Sequence, residues 1–509
     1  MRKFTHSAGP KFDRSTLESA LAMSVLIAAS ALVWGWRHRS GSVDMPLHYA
    51  VVEYIAEQWH WPSLAVSYMN GMNQYPPLSH TVAAIAGVLC GSPILGLHLV
   101  STASAIIVLA ILFLLLRFHN AQATIVATAA VAAMLSVFEN TRAFLSQEIV
   151  SNFFFPQLFG EMCVFVLVWL RSRFALTLFA EITTALAATF VLGWVYPIAA
   201  VQLGAVALVW RTLQTTSNWC ANGRLSVRDV IAFACLAVGA ALAIALHPRF
   251  ATVATLANNE GWIMVRIPAV LVIPATGLLL GLTAVLGANV IRGKLGLRAP
   301  DAFVALCGGI AGASLAQEAA FYLLGLGSRY GVYKHIFAVS TLLVCAAVVC
   351  AIHFTRDRLP STGSARSERL AHLAFAPAAL IVLLANAPPW HGEWMAPMVR
   401  AEAFYRSALA RHPDAKGHAV VLADGKIDQF GFSMGIIHLS MEDTLKLLYE
   451  NNATPQQRSE LIERTPVAYV FVRSGDVANP ACIVASDPRR EFAMIKYGCQ
   501  VPGAGNTPL

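Results

Sequence analysis

The sequence predicts an all-α polytopic membrane protein of about 11 to 13 spanning helices, closed by a small C-terminal α/β domain. Three observations predict it. First, 57% of the 509 residues are apolar and only 13% are charged, about half the charged share of an average soluble domain. Second, apolar stretches suited to a ~30 Å hydrocarbon layer recur along residues 1–388. Third, residues 389–509 abandon that pattern for short apolar runs set among polar, helix-forming ones. The 34 Gly and 24 Pro fit, because both are tolerated in helices inside a bilayer. The formal charge of +8 comes mostly from short basic runs between apolar stretches. Such runs orient helices, so the charge is no sign of a nucleic-acid partner.

Taken in order, the apolar segments are 17–36, 79–96, 98–117, 121–138, 156–170, 174–192, 197–211, 229–247, 268–290, 301–325, 335–355 and 370–388. The first reads as a retained anchor, because Trp34-Gly35-Trp36-Arg37 is not a small-residue cleavage site. Between the segments, basic connections (171–173, 211–228, 291–298, 356–369) alternate with loops richer in Glu, Asn, Tyr, His and Pro (139–157, 196–197, 248–266, 326–334). The positive-inside rule places the basic ones in the cytoplasm, and the others, with everything after 388, outside. Three stretches between outward loops 37–78 and 139–157 cannot all cross fully, so 79–96, broken by Gly91-Ser92-Pro93, is expected to be re-entrant or interfacial. An inverted N-terminus is the alternative. Loop 37–78 is long for a connector, and Leu47, Val51, Tyr54, Ile55 and Trp59 recur at helical spacing, predicting a helix over 45–61 lying on the membrane surface, with a short soluble loop helix as the alternative.

The tail reads as strands at Val420-Val421-Leu422 and 467–472, and helices at 442–451 and 455–464. Most of the nine Cys lie in apolar segments and read as small core residues; Cys482 and Cys499, in the tail, can pair if it is extracytoplasmic. Residues 361–364 read as a flexible linker.

Polar residues concentrate in the outward loops. Asp44, His48 and the string from Tyr75 to His80 would ring a cavity at the outer boundary, with Glu53 and Glu57 on the same segment. A carboxylate such as Asp44 there can take a proton from an acceptor, or hold a divalent cation (Mg or Mn) against a phosphate. Its plain alternative is to cap the helix that follows. Glu139 and Glu148, nine positions apart, can share that site or simply be solvated. Arg329, Tyr330, Tyr333, Lys334 and His335 form a cationic, phenolic patch that faces outward against the general trend. It suits a phosphate or pyrophosphate, or lipid headgroups. His247, Arg249, Glu260 and Arg266 make a weaker cluster, and Gln317-Glu318 falls inside an apolar stretch, where such groups line a pathway or bond two helices. No phosphate-binding glycine loop, zinc spacing or nucleophile motif occurs.

A first span, then outward Asp44, an amphipathic surface helix and Tyr75-Pro76-Pro77-Leu78 opening the next apolar stretch resembles the GT-C superfamily of membrane glycosyltransferases. These include protein O-mannosyltransferases, the lipid A aminoarabinose transferase and oligosaccharyltransferases. The resemblance covers the first hundred residues in motif and the rest in topology. It implies a glycosyltransferase that draws a sugar from a polyprenyl phosphate or pyrophosphate donor and gives it to a glycan, lipid or protein acceptor. It further implies a place in the cell (inner or plasma) membrane with the C-terminal domain extracytoplasmic. Asp44 carries over as the first-loop acid, base or metal ligand, although Asp-Met-Pro departs from the paired acids of some members. Glu139 or Glu148 would be the second-loop acid. Arg329 and Lys334 would hold the lipid phosphate, with His48, Tyr75, His80, Tyr330, Tyr333 and His335 lining the substrate site. The competing readings are a secondary transporter or lipid flippase centred on Glu318, and a non-catalytic assembly subunit that binds through its tail.

Overall fold

A computed structural model of the chain describes residues 44–63, 72–138, 141, 143–145, 147–151, 153–250, 263, 268, 271–355, 378, 395–416, 418–421, 468–474, 477 and 479–496. The expected anchor at 17–36, most of the apolar stretch 370–388, the linker, the tail helices at 442–451 and 455–464, Glu139, Glu260, Arg266 and Cys499 lie outside these residues. The chain is an integral membrane protein. Among the described residues, six helices are long and apolar enough to cross a bilayer and three shorter ones are apolar.

By contact the chain divides into two compact units. Within the described residues the first comprises 102–148 and 157–355, and the second 44–101, 149–156 and 395–496.

In the second unit, α1 (Asp44–Gln58) runs through the long first loop. The surface-helix expectation holds for its existence and not for its setting. Met45, Leu47, His48, Tyr49, Ala50, Val51, Val52, Glu53 and Ile55 are all buried, so protein covers every face and only the end at Glu57–Trp59 is exposed. The 3.6-residue pattern was too narrow a guide, because polar His48, Tyr49 and Glu53 are buried with the apolar stripe. Next come α2 (Leu78–Cys90) and α3 (Pro93–Leu115). The break at Gly91-Ser92-Pro93 is real. Gly91 ends α2 in the left-handed region at φ 70°, and Pro93 opens α3. Thirteen residues give α2 a length of ~20 Å, against ~30 Å for the apolar layer of a bilayer. The hairpin closes so tightly that any side chain at Gly96 would strike the backbone of Ala83 and Gly87.

The tail follows with α14 (Met395–Arg411) and the strands β1 (Ala419–Val421), β2 (Tyr469–Arg473), β3 (Ile483–Ser486) and β4 (Phe492–Lys496), in sheet order β1-β2-β4-β3. β1 and β2 are parallel, with Ala419 opposite Tyr469, while β4 is antiparallel to both β2 and β3. β2 is a central strand, and its unbroken run Val470-Phe471-Val472 is buried. Against it pack Phe404 and Tyr405 of α14, with ring centroids 5.8 and 4.9 Å from Phe471. Cys482 is disulfide-bonded.

The first unit holds α4 (Ala121–Val137), α6 (Phe155–Arg173, entering from the second unit), α7 (Leu178–Gly193), α8 (Pro197–Asn222), α9 (Val227–Ala245), α10 (Val272–Ile291), α11 (Pro300–Leu324), the short α12 (Arg329–Tyr333) and α13 (Ile336–Thr355). The four-residue α5 (Glu148–Ser151) sits at the division between units. Starts are capped as the sequence dictates: the Asn120 side chain accepts from Gln122 and Ala123 amides, and prolines open α8 and α11. Central α8 packs on α7, α9 and α11, and α10, α11 and α13 pack on one another. The closest approach is at Gly309, where a side chain would meet the Val206 backbone, the small-residue contact expected between bilayer helices. A buried ion pair between Arg211 and Asp229 ties α8 to α9.

Candidate functional site

Four of the polar residues singled out in the first loop come together in the second unit. Asp44 stands in the first turn of α1, and His48 lies one turn on, at i+4 on the same face. The Trp61 indole N–H donates to the Asn73 carbonyl at 2.8 Å, and the Asn73 amide donates to the Ser63 carbonyl at 2.8 Å, fixing the short 3₁₀ turn that precedes Tyr75. Tyr75 is then set edge-on to His48, with centroids 5.7 Å apart. His80, in the first turn of α2, meets His48 through Nε2 and Nδ1 at 2.9 Å. Both imidazoles are buried. Phe155 closes on both rings, at 5.1 Å from His48 and 5.0 Å from His80, and Phe153 at φ 57° leans on His48. Burial pushes the Tyr75 phenol well above its usual range, and the nearby Asp44 carboxylate adds to it. A carboxylate, a phenol held in its neutral form and an imidazole pair sharing one bridging proton thus form one constellation. Such a set can accept and hand on a proton.

Among the described residues no three His, Cys, Asp or Glu converge as a metal site. His48 and His80 spend their facing nitrogens on each other.

Beside this lies a second buried cluster, of which only Glu53 and its neighbour Glu57 stood out in the sequence. The Tyr49 phenol oxygen is 3.1 Å from Oε1 of Glu53 and 3.1 Å from Oε1 of Glu402 on α14. Ser92, in the α2–α3 turn, donates to Glu402 Oε2, and the Ile94 amide donates to Glu402 Oε1 at 3.4 Å. Arg406 is 3.5 Å from Glu53 and 4.0 Å from Glu402. Burial, and after it Glu57, pushes the Glu53 carboxyl up to about 8, with Arg406 and Tyr49 pulling the other way. Glu402 is raised as well, chiefly by burial. The legible signals were Tyr49–Glu53 and Glu402–Arg406, each four apart on a helix.

In the first unit the string 328–335 separates into faces. The Lys334 ammonium is buried, donates to Tyr196 Oη at 3.0 Å and sits 4.3 Å over the Tyr330 ring. Arg329 is exposed and donates to the Tyr333 hydroxyl. His335 is fully buried, 2.7 Å from Gln317, so it bonds α11 instead of joining a surface patch. One helical turn explains this: 330 and 334 share a side, as do 329 and 333. Glu148 is no solvated loop residue. It is fully buried against Glu161 of α6, which the sequence reading passed over and which also accepts from Gln157 at 3.3 Å. Glu318 Oε1 accepts from Thr276 at 2.9 Å and Ser314 at 3.0 Å, an interhelical bond between α10 and α11.

No protein-family model and no curated protein matches the chain. Its fold is similar to solved structures at low identity. The arabinofuranosyltransferase AftD from Mycobacteria aligns at a TM-score of 0.46 and 14% identity, over 89% of this chain and 35% of that one. ArnT from Cupriavidus metallidurans aligns at 0.40 and 13% when bound to undecaprenyl phosphate, and at 0.41 and 12% in the apo state, each over 94% of this chain and 98% of that one. The chain spans about a third of the length of AftD.

Proposed function

We propose that the chain is a membrane glycosyltransferase of the GT-C kind, moving a sugar from a polyprenyl phosphate or pyrophosphate to an extracytoplasmic acceptor. The observation that carries the reading is the gathering of Asp44, Tyr75, His48 and His80 into one buried constellation at the start of the first-loop helix. In the reaction the acceptor oxygen or nitrogen attacks the anomeric carbon, a new bond to that carbon forms, and the carbon–phosphate oxygen bond breaks with inversion. The acceptor proton passes to the Asp44 carboxylate. The His48–His80 pair and the neutral Tyr75 keep that carboxylate oriented and its surroundings poor in water, so positioning and electrostatics supply the rate.

Lys334 is the cation suited to a lipid phosphate. Phenols flank it, and a buried ammonium bonded to a hydroxyl has weaker hydration to give up when a phosphate oxygen arrives. The disulfide at Cys482 suits an oxidising side of the membrane, which supports an extracytoplasmic tail. The carrier reading loses its main support, because Glu318 accepts from the Thr276 hydroxyl of α10 and the Ser314 hydroxyl one turn back on α11.

The test is Asp44→Asn. With an undecaprenyl-phosphate sugar as donor, transfer should fall at least a thousandfold while the purified protein stays folded and monodisperse. Turnover at the wild-type rate would overturn the assignment.

A further inference from the structure

The buried cluster at Tyr49 joins three pieces that lie far apart in the sequence. These are the helix that starts at Asp44, the turn between α2 and α3, and the tail helix α14. Glu402 is the common partner. One of its oxygens takes the Tyr49 hydroxyl and the Ile94 amide, and the other takes the Ser92 hydroxyl. We infer that Glu402 of the tail is a positioning residue: through Tyr49 it fixes the placement of α1, and with it Asp44, and it does so only while the cluster holds a shared proton. This inference rests on the role proposed for Asp44.

Proton counting supports the second half. A phenol has one hydrogen, yet the Tyr49 oxygen contacts two carboxyl oxygens at the same 3.1 Å. Both contacts are hydrogen bonds only if one carboxyl carries a proton and donates it to the phenol. Glu402 already accepts from Ser92 and Ile94, so it is the acceptor and Glu53 is the proton holder. Burial and Glu57 act in that direction, lifting the Glu53 carboxyl to about 8. Charge balance agrees. Two carboxyls with one proton, beside the Arg406 guanidinium, are neutral overall, and losing that proton leaves an uncompensated buried negative charge. The charged and titratable groups facing Glu53 among the described residues are Tyr49 and Glu57 of α1 and Glu402 and Arg406 of α14.

A merely structural contact would hold α1 equally at every pH. A proton-dependent one would not, and amide hydrogen exchange in the full-length protein separates the two. Exchange over 44–58, corrected for the intrinsic rate, should be at least tenfold faster in Glu402→Ala than in the wild type, with exchange in α8 and α11 unchanged. In the wild type, protection of 44–58 should fall as pH passes about 8. Glu53→Gln supplies an amide donor at every pH, so it should abolish that step and retain transfer across it. Should Glu402→Ala fail to fold, Tyr49→Phe keeps the ring and removes only the hydroxyl, and it should show the same tenfold loss. Wild-type protection in Glu402→Ala or Tyr49→Phe, or a pH step that survives in Glu53→Gln, overturns the inference. Because the readout is exchange, an active Asp44→Asn enzyme would remove the proposed function and leave this result standing on its own.

Discussion

Raising the pH should destabilise the unit that contains α1 and the tail, and Glu53 should be the main cause. Its carboxyl is buried, with a folded value of about 8 against 4.5 for an ordinary glutamate. At about 1.36 kcal/mol per pH unit that difference corresponds to roughly 5 kcal/mol. The sign follows from linkage. Between pH 4.5 and about 8 the folded chain keeps a proton that the unfolded chain has released, so stability falls as pH rises and the fall is complete above about 8. The unit has roughly 200 residues, for which each kcal/mol moves the midpoint by ~2–4 °C. The expected drop between about pH 5 and pH 9 is therefore on the order of 10–20 °C. The assay is thermal unfolding of the full-length protein in detergent, followed by the fluorescence of tryptophans that include Trp59 and Trp61 beside α1. Glu53→Gln should flatten the dependence because glutamine does not titrate. A mutant curve that still falls in parallel with the wild type would refute the reasoning, since the proton would then reside elsewhere.

Three further outcomes are expected. Lys334→Met keeps the buried stem and removes the charge, so binding of undecaprenyl phosphate should weaken about tenfold or more; an unchanged Kd by native mass spectrometry would count against a phosphate role. Gly309→Val forces a side chain into the Val206 backbone and should cost ~1–3 kcal/mol, seen as a lower yield of folded protein, while Gly312→Val on the same helix, with nothing within 4 Å, should be near normal. Glu318→Gln keeps an acceptor for Thr276 and Ser314, so stability should change by no more than about 1 kcal/mol and transfer should persist; loss of transfer would reopen a role for that carboxyl.

The membrane half of the fold was legible because its signal is additive. A run of some twenty apolar residues can do little else in a bilayer, so helices such as Val272–Ile291 and Ile336–Thr355 sit within a few residues of where hydropathy puts them. The α2–α3 break was legible from Gly91 and Pro93 alone. The setting of α1 was not. Periodicity reports which residues prefer to avoid water, and it is silent on whether lipid or protein covers them. The tail was half legible: β1 and β2 showed as apolar runs, but β3 and β4 mix Ser, Lys and Met into short strands, and α14, with Glu402 and Arg406 among its Ala and Met, looks like an ordinary exposed helix. In the site, residues of 44–80 could be grouped because they are close in sequence. Glu402 could not, because its partner Tyr49 is 353 positions away and nothing local marks the pair.

That separation has a consequence for how the protein is made. Ribosomes add ~5–20 residues per second, so α1 waits roughly 20–70 s after its own synthesis before Glu402 exists to receive the Tyr49 hydroxyl. During that interval Tyr49 and Glu53 are without their tail partners, and the nascent chain is open to proteolysis at the very segment that bears Asp44. A chain that stops short of α14 cannot leave that condition, which gives quality-control proteases a simple mark of an unfinished copy.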